Sequence, residues 1–228
     1  MTNRASERPP ANSALDRSRP EISSSTANLI YAGREFYKRN WVLGTSGNFS
    51  VLLRRVPFEL MITESGAHKG MLAEDNFLTV SDKGERIGGS GKPSAELPIH
   101  LSILSDREAG CILHTHSIWS THLTDVYSGT NGFTIEGYEM LKGLSNVTTH
   151  EHREWVPIVE NSQHYDDLSN EIGELLRGKP DIHGILLRRH GLYTWGKDFA
   201  EAMRHIEVLE FLFEVMGRKH PNGTEICR

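Results

Sequence analysis

The sequence predicts a single α/β domain, and three observations carry that expectation. Stretches with strand alternation and stretches with helical periodicity follow one another along the chain, no linker or internal repeat divides it, and 228 residues suffice for one sizeable core. Charged residues at 24% and hydrophobic ones at 37% are the composition of an ordinary globular protein, which excludes a chain disordered throughout. A net charge of -5 gives no overall basic footprint for nucleic acid, while a phosphate-bearing small molecule is still allowed.

The elements follow in order. Residues 1–22 carry Pro9, Pro10 and Pro20 among Ser, Asn and Arg, so they read as a disordered tail ahead of a single domain over 23–228. From Ser25, the residues Leu29, Ala32, Phe36 and Tyr37 recur at helical spacing behind hydroxyl residues able to cap a first turn, predicting a helix to about Arg39. Residues 44–48 are loop chemistry leading into a short strand at 49–53 that ends near Pro57. Two more strands are expected at 61–63 and 77–80, and the glycine-rich 88–91 reads as a loop. Pro93 and Ser94 signal the start of a helix over 95–104, and 111–116 reads as a strand.

Near the C-terminus, 184–189 and 192–195 predict two short strands separated by His190 and Gly191. Asp198 with Glu201 three residues later forms a capping box. Phe199, Met203, Ile206, Leu209 and Phe213 then give one helix a single apolar stripe. No apolar run approaches the roughly 20 residues that span a bilayer, and the N-terminus lacks a secretory apolar segment. Cys111 and Cys227 sit in unlike contexts at no paired motif spacing, so no disulfide framework is expected and a cytoplasmic location is the simpler reading.

The compositional oddity is twelve histidines. On a strand, His114 and His116 share one side at i, i+2 spacing, so their ring nitrogens can converge on one ion. His190, beside Gly191 at a strand end, is the candidate third ligand. The same pair would serve equally as two hydrogen-bonded strand histidines, and spacing alone leaves both readings open. Three neutral imidazoles suit a divalent ion of borderline softness, zinc first. With no cysteine at structural-zinc spacing, such an ion argues for catalysis.

Two carboxylates are acid/base candidates. Glu96 follows Pro93 and Ser94, and Glu139 sits between aromatic and apolar neighbours; partial burial of either would raise its pKa towards neutrality, and sequence does not rank the two by burial. For either one taken singly, a solvated helix-face glutamate explains the residue as well. Two loops, Gly44 to Asn48 and Ser65-Gly66 with Lys69, supply the amides, hydroxyls and ammonium of a phosphate cradle, or are plain turns.

In this order the pieces resemble the class II aldolase family of zinc-dependent sugar-phosphate enzymes. The resemblance runs from about Asn28 to Val215. Its carriers are Gly44 to Asn48, then Thr63, Glu64, Ser65 and Gly66, then Lys92 to Glu96 with His100, then His114, Thr115 and His116, and last Arg189, His190 and Gly191. Within the family, Tyr138 to Gly143 and Leu187 to Gly196 are similar to the dehydratase branch of methionine salvage, rather than to the fuculose-phosphate aldolase or ribulose-phosphate epimerase branches.

The resemblance implies a three-layer α/β/α sandwich with a largely antiparallel central sheet, a homotetramer with active sites between subunits, and one zinc ion per subunit held by His114, His116 and His190. It implies dehydration of 5-methylthioribulose 1-phosphate to 2,3-diketo-5-methylthiopentyl 1-phosphate. Glu139 would remove the C3 proton, with Glu96 as the alternative, and Asn48, Ser65, Gly66 and Ser94 would hold the phosphate. Two other readings stay on the table: an aldolase or epimerase acting on another ketose phosphate, and a non-catalytic adaptor of the same fold.

Overall fold

A computed structural model describes residues 15–220. The expected tail over 1–22 lies outside the described residues as far as 14, as does Cys227. Its last residues need correction: helix α1 spans Pro20–Lys38 and buries Ile22. Pro20 starts this helix rather than marking disorder, since proline fits a helix's first turn, where its missing N–H would have no partner anyway.

Among the described residues nine strands form one sheet: β1 (Asn48–Arg55), β2 (Phe58–Thr63), β3 (Phe77–Val80), β4 (Arg86–Gly89), β5 (Cys111–Thr115), β6 (Gly132–Glu136), β7 (Arg153–Val159), β8 (Gly184–Leu187) and β9 (Gly191–Gly196). Their order is β4-β3-β2-β1-β5-β9-β8-β7-β6. Every neighbouring pair is antiparallel except β7 and β8, which are joined by helix α4 (Tyr165–Gly178), as a parallel connection requires.

The remaining α-helices among the described residues are α2 (Leu97–Asp106), α3 (Ile118–Val126) and α5 (Phe199–Lys219). One face of the sheet packs on Leu29 and Phe36 of α1, Leu123 of α3, and Ile206, Leu209 and Phe213 of α5. The other packs on Ile99 and Ile103 of α2 and on Leu168, Ile172 and Leu176 of α4. Along β5, Cys111 and Leu113 join the first core and Ile112 the second, which is the period of two of a strand buried on both faces. The α/β/α sandwich with a largely antiparallel sheet is the architecture observed.

Several boundaries move. The glycine-rich segment read as a loop contributes β4, in which Gly88 lies so close to Thr79 that a Cβ would stand 2.7 Å from its Oγ1. The predicted 95–104 helix begins at Leu97, leaving Glu96 as its N-cap residue. The predicted 184–189 strand stops at Leu187, because Arg188 and Arg189 turn the chain, Arg189 at φ 53°. Asp198 caps α5 through the Glu201 amide at 2.9 Å, but Glu201 returns its carboxylate to the Lys197 amide instead of closing the box. Cys111 is a buried free thiol. Among the described residues no helix is long and apolar enough to cross a membrane.

Candidate active site

The site gathers at one end of the three central strands. His114 is the fourth residue of β5 and pairs across the sheet with Asn48 of β1 and Tyr193 of β9. His116 follows the strand on the same side, its amide tied to the Trp41 carbonyl at 2.7 Å. His190 sits in the tight β8–β9 turn. Gly191 lets that turn close down on β5, since a Cβ there would stand 2.0 Å from the Thr115 carbonyl oxygen. Gly47, at φ 73°, permits a similar approach of its loop to the His114 carbonyl.

The three imidazoles converge through their Nε2 atoms: His114 to His116 at 2.8 Å, His116 to His190 at 3.1 Å and His114 to His190 at 3.3 Å. His114 donates its Nδ1 proton to the Leu192 carbonyl at 2.9 Å, so its Nε2 lone pair faces the other two rings. Burial drives the His114 pKa well below its ordinary value and lowers that of His116 to about 4, so both are neutral at physiological pH, the form that binds a metal. A tetrahedral ion with nitrogen ligands at about 2.0–2.1 Å separates its donors by roughly 3.3 Å. The three-histidine group therefore fits a metal ion.

Glu96 completes the cluster within the chain. Released from the helix by its N-cap position, its carboxylate lies 3.2 Å from His190 Nε2 and 3.4 Å from His114 Nε2. It accepts the Tyr193 hydroxyl proton at 2.8 Å and an Asn48 amide proton at 2.5 Å. Burial opposes its ionisation, but His114, His190 and the Tyr193 hydroxyl outweigh it and hold the carboxyl below the usual carboxylate range. A buried relay orients Asn48: Ser50 donates to His100 Nδ1 at 2.7 Å, and His100 Nε2 donates to the Asn48 carbonyl oxygen. That leaves the Asn48 amide nitrogen for Glu96 and for Ser94 Oγ at 3.2 Å.

Asn48, Ser65, Gly66 and Ser94, the four expected phosphate contacts, line one cavity of about 320 Å3 together with Lys69, Glu96, His116 and Tyr165. Lys69 does not offer a free ammonium there. It is buried and donates to the Thr45 and Ala67 carbonyls at 2.9 and 2.6 Å, cross-tying the two loops. Burial lowers its pKa to about 8, with Glu96 pulling the other way.

Glu139 is placed differently. It opens a short 3-10 helix, Glu139–Gly143, with 72% of its side chain exposed, and its contacts are Lys142 at 2.7 Å and His150 at 3.9 Å. Of the two candidates it is Glu96 that is buried, and the Lys142 hydrogen bond lowers the Glu139 pKa. Within one chain the structure joins Glu96 to the histidines and leaves Glu139 on the surface. Tyr193 and Tyr165 are not among the sequence candidates; Tyr193 comes opposite His114 only through the β5–β9 pairing, which no local pattern in the sequence signals.

A sequence model of the class II aldolase and adducin N-terminal domain family matches residues 27–216. The chain belongs to this family. Within the class II aldolase family, it is 42% identical over 187 residues to a methylthioribulose-1-phosphate dehydratase of Pseudomonas fluorescens, covering 82% of this chain and 88% of the relative. It is 41% identical over 201 residues to the enzyme of the same name from Methylococcus capsulatus, covering 88% and 96%. Among solved structures, an L-fuculose 1-phosphate aldolase superposes with a TM-score of 0.71 over 89% of each chain at 20% identity, a likeness of fold.

Proposed function

We propose that the protein is a zinc-dependent dehydratase that converts 5-methylthioribulose 1-phosphate to 2,3-diketo-5-methylthiopentyl 1-phosphate in methionine salvage. The observation that carries this reading is the sequence identity of 42% and 41% to relatives of that name over most of both chains. The convergence of His114, His116 and His190 beside the cavity that holds all four expected phosphate contacts supports it further.

His114, His116 and His190 would hold the ion, which when bound supplies polarisation of the substrate's C2 carbonyl and so acidifies the C3 hydrogen. Asn48, Ser65, Gly66 and Ser94 fix the phosphate, which sets the position of the reacting carbons along the cavity. A glutamate takes the proton from C3, the C4 hydroxyl departs as water after protonation, and the resulting enol relaxes to the diketone.

The base we assign is Glu139. Its side chain is exposed and its partners are Lys142 and His150, not the three histidines, so a neighbouring subunit would supply it, which accords with a homotetramer whose sites lie between subunits. Its pKa, lowered by Lys142, leaves it ionised and able to accept a proton. Glu96 is the second reading, favoured by its place against His114 and His190. A free buried thiol at Cys111 accords with a cytoplasmic setting.

Chelation followed by zinc restoration tests the proposal. Diketone formation should stop with the metal removed and return with zinc. Retro-aldol cleavage of fuculose 1-phosphate at a comparable rate would favour the aldolase alternative.

A further inference from the structure

At the opposite end of β8 from His190, a second group of ligand-type side chains converges. Four residues of strand at about 3.3 Å each separate the two ends by on the order of 13 Å. Glu154, near the start of β7, is buried, with its carboxylate 2.8 Å from His152 Nε2 and 3.0 Å from His183 Nδ1. All three donor atoms lie within 4.8 Å of one another. The catalytic reading uses none of these residues.

The tautomer of His183 makes the cluster informative. Its Nε2 lies 2.9 Å from the Ser145 carbonyl oxygen, which can only accept, so Nε2 carries a proton. Nδ1 faces the Glu154 carboxylate at 3.0 Å, and a cation must lie between them: a proton, which makes the pair an imidazolium–carboxylate ion pair, or a metal ion. His114 shows the same arrangement, with one ring nitrogen fixed by a backbone carbonyl and the other turned to the centre. That anchoring is the usual orienting device for a metal-bound histidine.

Access and donor chemistry agree. His152 and His183 line a cavity of about 530 Å3 together with Ser145, Glu201 and His205, giving an ion and its water a route in. Two imidazoles and one carboxylate form a set suited to zinc, with a fourth position left to water.

We propose that His152, Glu154 and His183 form a second metal site for a divalent ion of zinc-like softness, distinct from the three-histidine site. The consequence is mechanical. The ion joins the start of β7 to the residue preceding β8 and, through His183, fixes Ser145, which follows the turn bearing Glu139 and whose amide donates to His205 Nε2 at 3.1 Å. Occupancy steadies the surface segment between Glu139 and β7.

The test is metal stoichiometry by mass spectrometry of the full chain dialysed against zinc alone. Wild type should bind two equivalents per chain, His116→Ala one and His152→Ala one. His152 is only partly buried, so its replacement is compatible with folding, which circular dichroism checks. A measurement on wild type needs no variant: the second zinc equivalent should protect His152 and His183 from histidine-directed acylation. One equivalent in wild type that His116→Ala abolishes, two equivalents retained in His152→Ala, or no protection of His152 and His183 would overturn the proposal. A single equivalent lost in His152→Ala but kept in His116→Ala would support this site and sink the three-histidine reading instead.

Discussion

Tyr193 lies flat against His114, with ring centroids 3.8 Å apart and planes 10° from parallel, and donates its hydroxyl proton to Glu96 at 2.8 Å. One side chain thus braces a histidine of the cluster and supplies the buried carboxylate with a donor. Tyr193→Phe keeps the stack and deletes the donor. Leaving a buried acceptor short of a partner costs about 1–3 kcal/mol. A drop of that size in unfolding free energy by urea denaturation is expected, and an unchanged midpoint would show that the hydrogen bond contributes nothing.

The two glutamates separate by substitution. Glu139→Gln should lower turnover at least 100-fold, within the range typical of a lost general base, while zinc stays bound, because Glu139 touches none of the three histidines. Glu96→Gln should instead change the environment of the histidines and weaken zinc retention. If Glu96→Gln is inactive with zinc still bound and Glu139→Gln turns over normally, the base is Glu96.

If Glu139 acts across a subunit boundary, two dead variants should complement. Mixed oligomers of Glu139→Gln and His116→Ala subunits, refolded or co-expressed, would regain part of the wild-type activity, because some sites combine an intact glutamate with intact histidines. No recovery above the parent variants would place base and histidines in one subunit.

Acid should destabilise the metal-free protein well above the carboxylate range. Burial brings His100, His116 and His205 down to about 4, against about 6.5 in an unfolded chain. Between these values the unfolded state binds protons that the native state refuses. Stability from these groups is therefore complete above pH 6.5 and is lost as pH falls towards 4. Melting temperature measured from pH 7.5 to 4.5 should fall steadily, and a flat profile would refute the burial of neutral imidazoles.

Glu210 works in the opposite sense. Burial lifts its pKa to about 7 beneath β5, where it accepts from Thr115 at 3.0 Å. With a folded pKa above the unfolded value near 4.5, the cost of ionising it in place grows as pH rises from 4.5 to 7 and is fully present above that. Glu210→Gln removes the titration, so its melting temperature relative to wild type should be higher at pH 8 than at pH 5. A constant difference would contradict the shift.

Much of this was legible in the residues because the signals are local. The i, i+2 pair of His114 and His116 needs only a strand, and the apolar stripe of α5 only a helix. Asn48, Ser65, Gly66 and Ser94, implied by the family resemblance, do line one cavity. What escaped depends on cross-strand pairing. Tyr193 acquires its role only when β9 lies beside β5, and Glu96 only when α2 starts after it. Helix α4 was missed although Leu168, Ile172 and Leu176 recur every four residues. Strand β7 carries Pro157, a residue that normally argues against an interior strand. Apolar neighbours in sequence do not bury Glu139, because in its short 3-10 turn Leu141 points into the core while Glu139 and Met140 face outward.

The central claim is the reaction. Purified, zinc-loaded protein mixed with 5-methylthioribulose 1-phosphate and followed by carbon NMR should show the C3 and C4 hydroxyl-bearing carbons replaced by a second carbonyl and a methylene, with His116→Ala inactive. Unchanged substrate with zinc bound, or cleavage into two smaller carbonyl compounds, would contradict the account.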